Sequence, residues 1–175
     1  NIITTRKNIT KPFNLKSTIS AGNYNSFRGN LQLFGKAGKL SYQTRYSTIN
    51  TGGFSAAKDS SETKGLDKDG YHGNIINASV QYQSTKQLNL RSFVQYSKYK
   101  SDVDVSAFTD DKDFTIRNAN LTTGAGFTYK NDAVAVNGNY QYSENNRHFL
   151  NDGGDISGFS TYTRDDYFSK SQFVE

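Results

Sequence analysis

The stretch Asn118-Ala119-Asn120-Leu121-Thr122-Thr123-Gly124-Ala125-Gly126-Phe127-Thr128-Tyr129-Lys130 decides the fold. Its odd positions (Ala119, Leu121, Thr123, Ala125, Phe127, Tyr129) are apolar or weakly polar, and its even positions are amide, hydroxyl, glycine or lysine. Successive side chains on a strand point to opposite faces, so this segment has one apolar and one polar face. The same period recurs upstream, where Leu40, Tyr42, Thr44 and Tyr46 oppose Ser41, Gln43, Arg45 and Ser47. Leu88, Leu90, Val94 and Tyr96 oppose Asn89, Arg91, Gln95 and Ser97, and Val134, Val136, Tyr140 and Tyr142 oppose Ala135, Asn137, Asn139 and Gln141. No segment sustains a helical three-four repeat, so the chain reads as all-β.

Working outward, the alternation predicts eight strands at 15–24, 26–36, 40–50, 71–83, 88–100, 115–130, 133–144 and 161–174. Most exceed the ~5–6 residues usual in soluble sheets. Short turns at 37–39, 84–87 and 131–132 alternate with long polar loops at 51–70, 101–113 and 145–160. If the hairpins run up and down, the short turns share one end and the long loops the other. That asymmetry is the signature of an outer-membrane barrel, with short periplasmic turns and long extracellular loops. Tyr82 and Tyr129 fall beside short turns, and Tyr46, Tyr96 and Tyr142 near loop ends, as two interfacial girdles require.

Composition agrees. The 175 residues are only 34% hydrophobic, which suits disorder or a chain without a packed core, yet they include 12 Tyr and 12 Phe. A wall whose alternate positions face water resolves the conflict. Cys is absent, which excludes disulfides, zinc-thiolate sites and thiol nucleophiles. The formal charge of +5 is too modest for a nucleic-acid footprint, and no nucleic-acid partner is expected. Met is also absent, so the chain is expected to be a processed or excised piece. The expected fold is an antiparallel up-and-down transmembrane β-barrel segment of about eight strands in the bacterial outer membrane. A soluble sheet with a sugar-stacking tyrosine face shows the same alternation and is the competing reading.

Four short motifs carry a resemblance: Asn1-Ile2-Ile3-Thr4-Thr5-Arg6-Lys7; Ile19-Ser20-Ala21-Gly22-Asn23-Tyr24-Asn25-Ser26; Thr51-Gly52-Gly53-Phe54; and Asp67-Lys68-Asp69-Gly70-Tyr71. In this order they resemble TonB-dependent outer-membrane receptors, nearest the cobalamin-receptor branch. The resemblance implies that residues 1–14 end a plug and linker and that 15–175 are the N-terminal portion of a barrel of about 22 strands. It implies uptake of a scarce nutrient ligand, a corrinoid or siderophore, energised by the TonB complex through the plug. From the residues alone, a self-contained eight-stranded barrel with a structural or adhesion role is the alternative.

Candidate site residues lie on the loops and the polar face. By the same resemblance, Asp67 and Asp69 would clamp calcium with Asp104, Asp111 or Asp113, ordering the loops. An EF-hand is ruled out because Tyr71 stands at its fifth position. Ser55 follows Phe54 where that family places an aspartate. Phe54, Ser55, Tyr71 and Phe108 are candidate ligand contacts. Arg28, Arg45, Arg91 and Arg117 are assigned to the polar face, to meet plug carboxylates or steer an anion. Gly124 and Gly126 are expected to leave lumen space for an inserted plug. Lys58, Lys64, Lys98 and Lys100, near the loop end, are candidates for membrane lipid and lipopolysaccharide phosphates. His72 and His148 have no nucleophile at a recognisable spacing, and no enzymatic activity is expected.

Overall fold

The 118–130 segment lies in the sixth of eight strands in the computed structural model, which describes residues 11–55, 57–58, 65–152 and 162–174. The strands are β1 (Asn14–Gly22), β2 (Ser26–Ala37), β3 (Leu40–Thr51), β4 (Tyr71–Gln83), β5 (Leu88–Asp102), β6 (Thr115–Lys130), β7 (Ala135–Asp152) and β8 (Tyr162–Val174). They form one antiparallel sheet in sequence order. Every ladder runs without a register break, so the alternation read from the sequence carries across all eight strands. Among the described residues no ladder joins β1 to β8.

The turns carry their own chemistry. Gly38, at φ 58, opens the two-residue link between the paired Ala37 and Leu40. Thr85 Oγ1 accepts from the amides of Gln87 and Leu88, and Asn131 Oδ1 from those of Ala133 and Val134. At the opposite end Tyr24 and Asn25 both sit at positive φ (59 and 53) between β1 and β2. A left-handed tyrosine costs roughly 1–2 kcal/mol. Tertiary contacts hold it: its ring leans on Phe54 at 5.4 Å and its carbonyl accepts the Gly52 amide at 2.9 Å.

Among the described residues nothing packs a conventional core. Ala57, in a loop, is the one buried hydrophobic residue among those described, while Leu31, Tyr46, Ile76, Val80, Leu90, Tyr96 and Phe127 are exposed. Those exposed residues are ordered. Leu31, Tyr46, Ile76, Tyr96 and Leu121 stand side by side in one cross-strand row. Leu40, Tyr82, Leu90 and Phe127 form a lower row, with Leu88, Tyr129 and Val136 beneath it. From Leu121 to Tyr129 the strand rises roughly 26 Å at ~3.3 Å per residue. Allowing for strand tilt, this is of the order of the ~25 Å apolar belt of an outer-membrane barrel.

The upper boundary of this belt is marked by hydrogen bonds. Tyr46 Oη donates to Asn74 Oδ1 at 2.5 Å, and the Asn74 amide meets His72 Nε2 at 2.9 Å. On β7, Tyr142 Oη donates to Glu144 Oε2 at 2.7 Å and Asn146 Nδ2 donates to Glu144 Oε1 at 3.3 Å. In each case a phenol ends the apolar rows and hands over to polar groups above it.

β7 corrects the sequence reading. It continues through Asn145–Asp152, which the polar composition assigns to a loop, by pairing with β6 and β8. Above the apolar belt both faces are wet, so the alternation that signals a strand disappears while the ladder persists. The glycines of β6 are a second correction. A Cβ on Gly124 would lie 2.6 Å from Phe93 Cε1, and one on Gly126 2.6 Å from Asn139 Oδ1. The space above these glycines is therefore filled by neighbouring side chains of the same sheet and does not stand open for a plug.

Candidate functional site

Three regions gather chemistry: a knot of loop carboxylates, the polar face of the sheet, and a charged rim above the apolar belt. The knot joins loop 51–70 to loop 103–114. Asp104 Oδ2 accepts the Ala57 amide at 2.5 Å and its Oδ1 accepts the Asp111 amide at 3.0 Å. Ser55 Oγ lies 3.3 Å from both Asp104 Oδ2 and Asp110 Oδ1. Asp110 Oδ1 also accepts the Asp67 amide at 3.2 Å. Asp111, only 1% exposed, accepts from the amides of Asp113 and Phe114 at 3.2 Å each and from Asn151 Nδ2 at 2.9 Å. These acids tie the two loops together through backbone amides, a use of Asp common in turns, and Asp111 holds β7 through the Asn151 side chain.

Within the knot, Asp67, Asp104 and Asp110 each place a carboxylate oxygen within 4.8 Å of the others. Asp67 Oδ1 is shielded from solvent with no hydrogen-bond donor among the described residues. Burial first, then a side-chain hydrogen bond with Asp110, then the charges of Asp110, Asp69 and Asp104 push the Asp67 carboxyl up to about 6. Of the expected metal set, Asp67 and Asp104 come together, Asp69 influences Asp67 from nearby, and Asp113 is outside the trio. Asp110 takes the place expected of Asp113. Spacing cannot choose among four aspartates within one short loop, since only the loop's fold decides which carboxylates turn inward.

The candidate ligand contacts do not converge. Phe54 and Ser55 border a cleft of about 680 Å³ with Tyr24, Asn25, Asp67 and Lys68. Phe108 stands apart, 71% exposed. Tyr71 belongs to the polar face, stacked on Tyr99 at 5.6 Å beside a cavity of about 360 Å³ that Arg28 and Asn30 also line.

Register assigns the arginines. Arg28, Arg45 and Arg91 alternate with the apolar rows and lie on the polar face, and Arg91 Nη2 donates to Asn139 Oδ1. Arg117 does not join them. It is the upward continuation of Ala119 and Leu121, opposite Lys100 on β5 and His148 on β7, and so shares the apolar side above the belt. The sequence reading missed this because the local pattern fades at the strand's upper end. Lys16, Lys36 and Arg147 also occupy the polar face, where Asp165 is the single carboxylate among the described strand residues. Of the candidate lipid-contact lysines, Lys58 is tied through its amide to the Ala107 carbonyl, Lys64 lies outside the described residues, and Lys98 and Lys100 stand on the rim.

No curated protein matches the chain. Residues 39–175 match the family described as outer membrane beta-barrel porin, MtrB/PioB. This overturns the resemblance to TonB-dependent receptors. Of the motifs behind that resemblance, 1–7 lies outside the described residues, 19–26 spans the β1–β2 hairpin, and the other two lie along loop 51–70 and the start of β4, where Gly and Asp serve turns in any barrel of this architecture. The corrinoid, siderophore and TonB expectations fall with the resemblance. An all-β sheet of up-and-down strands, an outward apolar belt with tyrosine boundaries and a family match over most of the chain agree: the chain belongs to the MtrB/PioB family of outer-membrane β-barrel porins.

Proposed function

We propose that the chain forms wall and extracellular loops of a non-enzymatic outer-membrane porin whose polar face favours anions. The observation that carries this is the charge on that face: Lys16, Arg28, Lys36, Arg45, Arg91 and Arg147 against Asp165. Fixed charges lining a pore set the sign of the permeant ion. The outer edges of β1 and β8 need partners for the wall to close. The family match favours an outer-membrane barrel in its own right over an energised nutrient receptor. Conductance of the full-length protein in planar bilayers under a KCl gradient tests the reading. A reversal potential on the anion side is expected. Cation preference overturns the proposal, and a closed bilayer returns the chain to a structural or adhesion role.

A second reading concerns the knot. The Asp67, Asp104 and Asp110 trio, with a shielded Asp67 oxygen, favours a calcium ion bridging the two loops. Millimolar calcium is expected to slow protease cleavage within 51–70 and 101–113, with magnesium much less effective. Identical cleavage with and without calcium sinks this reading.

A further inference from the structure

Above the apolar belt the outward face changes from tyrosine to cation within one strand. On β5, Val94, Tyr96, Lys98 and Lys100 follow one another on this face, all exposed. Lys98 stands opposite Ala119 and Asn74, and Lys100 opposite Arg117 and His72, so three cations occupy adjoining positions on β5 and β6. Cross-strand neighbours lie about 5 Å apart and alternate residues on a strand about 7 Å apart. One phosphate group reaches all three at that spacing.

The surrounding charges define the patch. Asp102 pairs with Lys100 at 2.8 Å. To one side Asp166 is engaged by both His148 and Arg164, at 3.0 Å for the Arg164 pair. Glu144 is engaged by Tyr142 and Asn146. Lys98 and Arg117 make no ion pair among the described residues. The acids at this level are thus committed to nearer partners, leaving Lys98 and Arg117 to an outside anion.

We propose that Lys98, Lys100 and Arg117 form a docking site for the phosphorylated headgroup of lipopolysaccharide, the acidic glycolipid of the outer leaflet. The long loops place this rim on the extracellular side. Directly below are the exposed Tyr96 and Val94, with the half-buried Leu121 and Thr123 beside them on β6, a surface for the acyl chains of the same molecule. The vertical order, cations over a tyrosine girdle over aliphatic groups, repeats the order of such a lipid from phosphate to hydrocarbon. A soluble anion uses only the cations and leaves the underlying surface unexplained. The proposal rests on the outer-membrane placement and is independent of anion passage through the lumen.

The test uses full-length protein, delipidated in detergent and titrated with lipopolysaccharide or with the same lipid enzymatically dephosphorylated. K98E/R117E is expected to weaken binding about tenfold or more. Dephosphorylation is expected to weaken wild-type binding comparably, and the lumen variant R45E/R91E to bind as wild type. Unchanged binding by K98E/R117E, equal binding of the dephosphorylated lipid, or an equal loss in R45E/R91E each overturns the site. Heat-modifiable gel mobility reports whether each variant assembles. If K98E/R117E does not, K98Q/R117Q replaces it under the same criteria. Loss of wild-type protein from the outer-membrane fraction would instead implicate the placement.

Discussion

Phe93 and Gly124 face each other across the β5–β6 ladder, and the Phe93 ring lies over the glycine so closely that a Cβ there would stand 2.6 Å from Cε1. The Tyr140 carbonyl, 2.7 Å from the same point, closes the other side. Gly124→Ala is expected to destabilise the barrel by about 1–3 kcal/mol, since either a ring or a backbone must move. Phe93→Ala in the same chain should recover only part of the loss, because the carbonyl remains. Urea midpoints of the folded, heat-modifiable form measure both, and full recovery in the double variant would show that the ring alone matters.

The knot predicts a pH dependence with a definite sign. The Asp67 carboxyl is raised from its usual ~3.9 to about 6 in the fold. Between these values the folded state holds more protons than the unfolded one. The contribution of Asp67 is therefore full below the lower value and is lost as pH rises through about 6. Loop protection from protease should decline over that interval in calcium-free buffer. Asp110→Asn removes the principal neighbouring carboxylate and should shift the decline to lower pH. A flat profile from pH 4 to 7, a range taken from ordinary carboxylate titration at ~3.9, contradicts this account.

Asp111 has a different task from its neighbours. Its buried carboxylate satisfies two backbone amides and the Asn151 side chain. Asp111→Ala leaves those donors unpaired, a loss of about 2 kcal/mol or more of local stability. Faster amide exchange at Asp113 and Phe114, with the lower strands unaffected, is the expected result. Uniform loss of protection throughout the sheet would place its role elsewhere.

Arg45 and Arg91 sit at different heights on the polar face. Reversing both to glutamate is expected to lower the anion-to-cation permeability ratio by roughly threefold or more at low salt, with the effect shrinking as ionic strength rises. Reversal potentials in matched KCl gradients give the ratio. An unchanged ratio would mean that these arginines do not border the permeation path.

Legibility from sequence followed the solvent. Where one face meets lipid and the other water, as along Leu88–Tyr96 and Ala119–Tyr129, period two is sharp and register follows from it. At Asn145–Leu150 water lies on both sides and the composition reads as loop, although the ladder continues. Arg117 was misassigned for the same reason, being the first residue above the point where its strand's alternation fades. The knot was half legible: Asp67 and Asp104 stand out, but choosing Asp110 over Asp113 requires the path of the loop. The family was not legible from the short receptor-like motifs, because turn-forming residues recur in unrelated loops.

The unequal strand lengths shape the outer mouth. From Tyr46 to Thr51 the wall continues roughly 17 Å of strand past the girdle, whereas from Tyr142 to Asp152 it continues roughly 33 Å at ~3.3 Å per residue. The mouth is therefore a sloping parapet, low at β3 and tall at β7. The loop that springs from the low flank is laced through Asp104 and Asp110 to loop 103–114, which Asp111 in turn moors to the tall flank at Asn151.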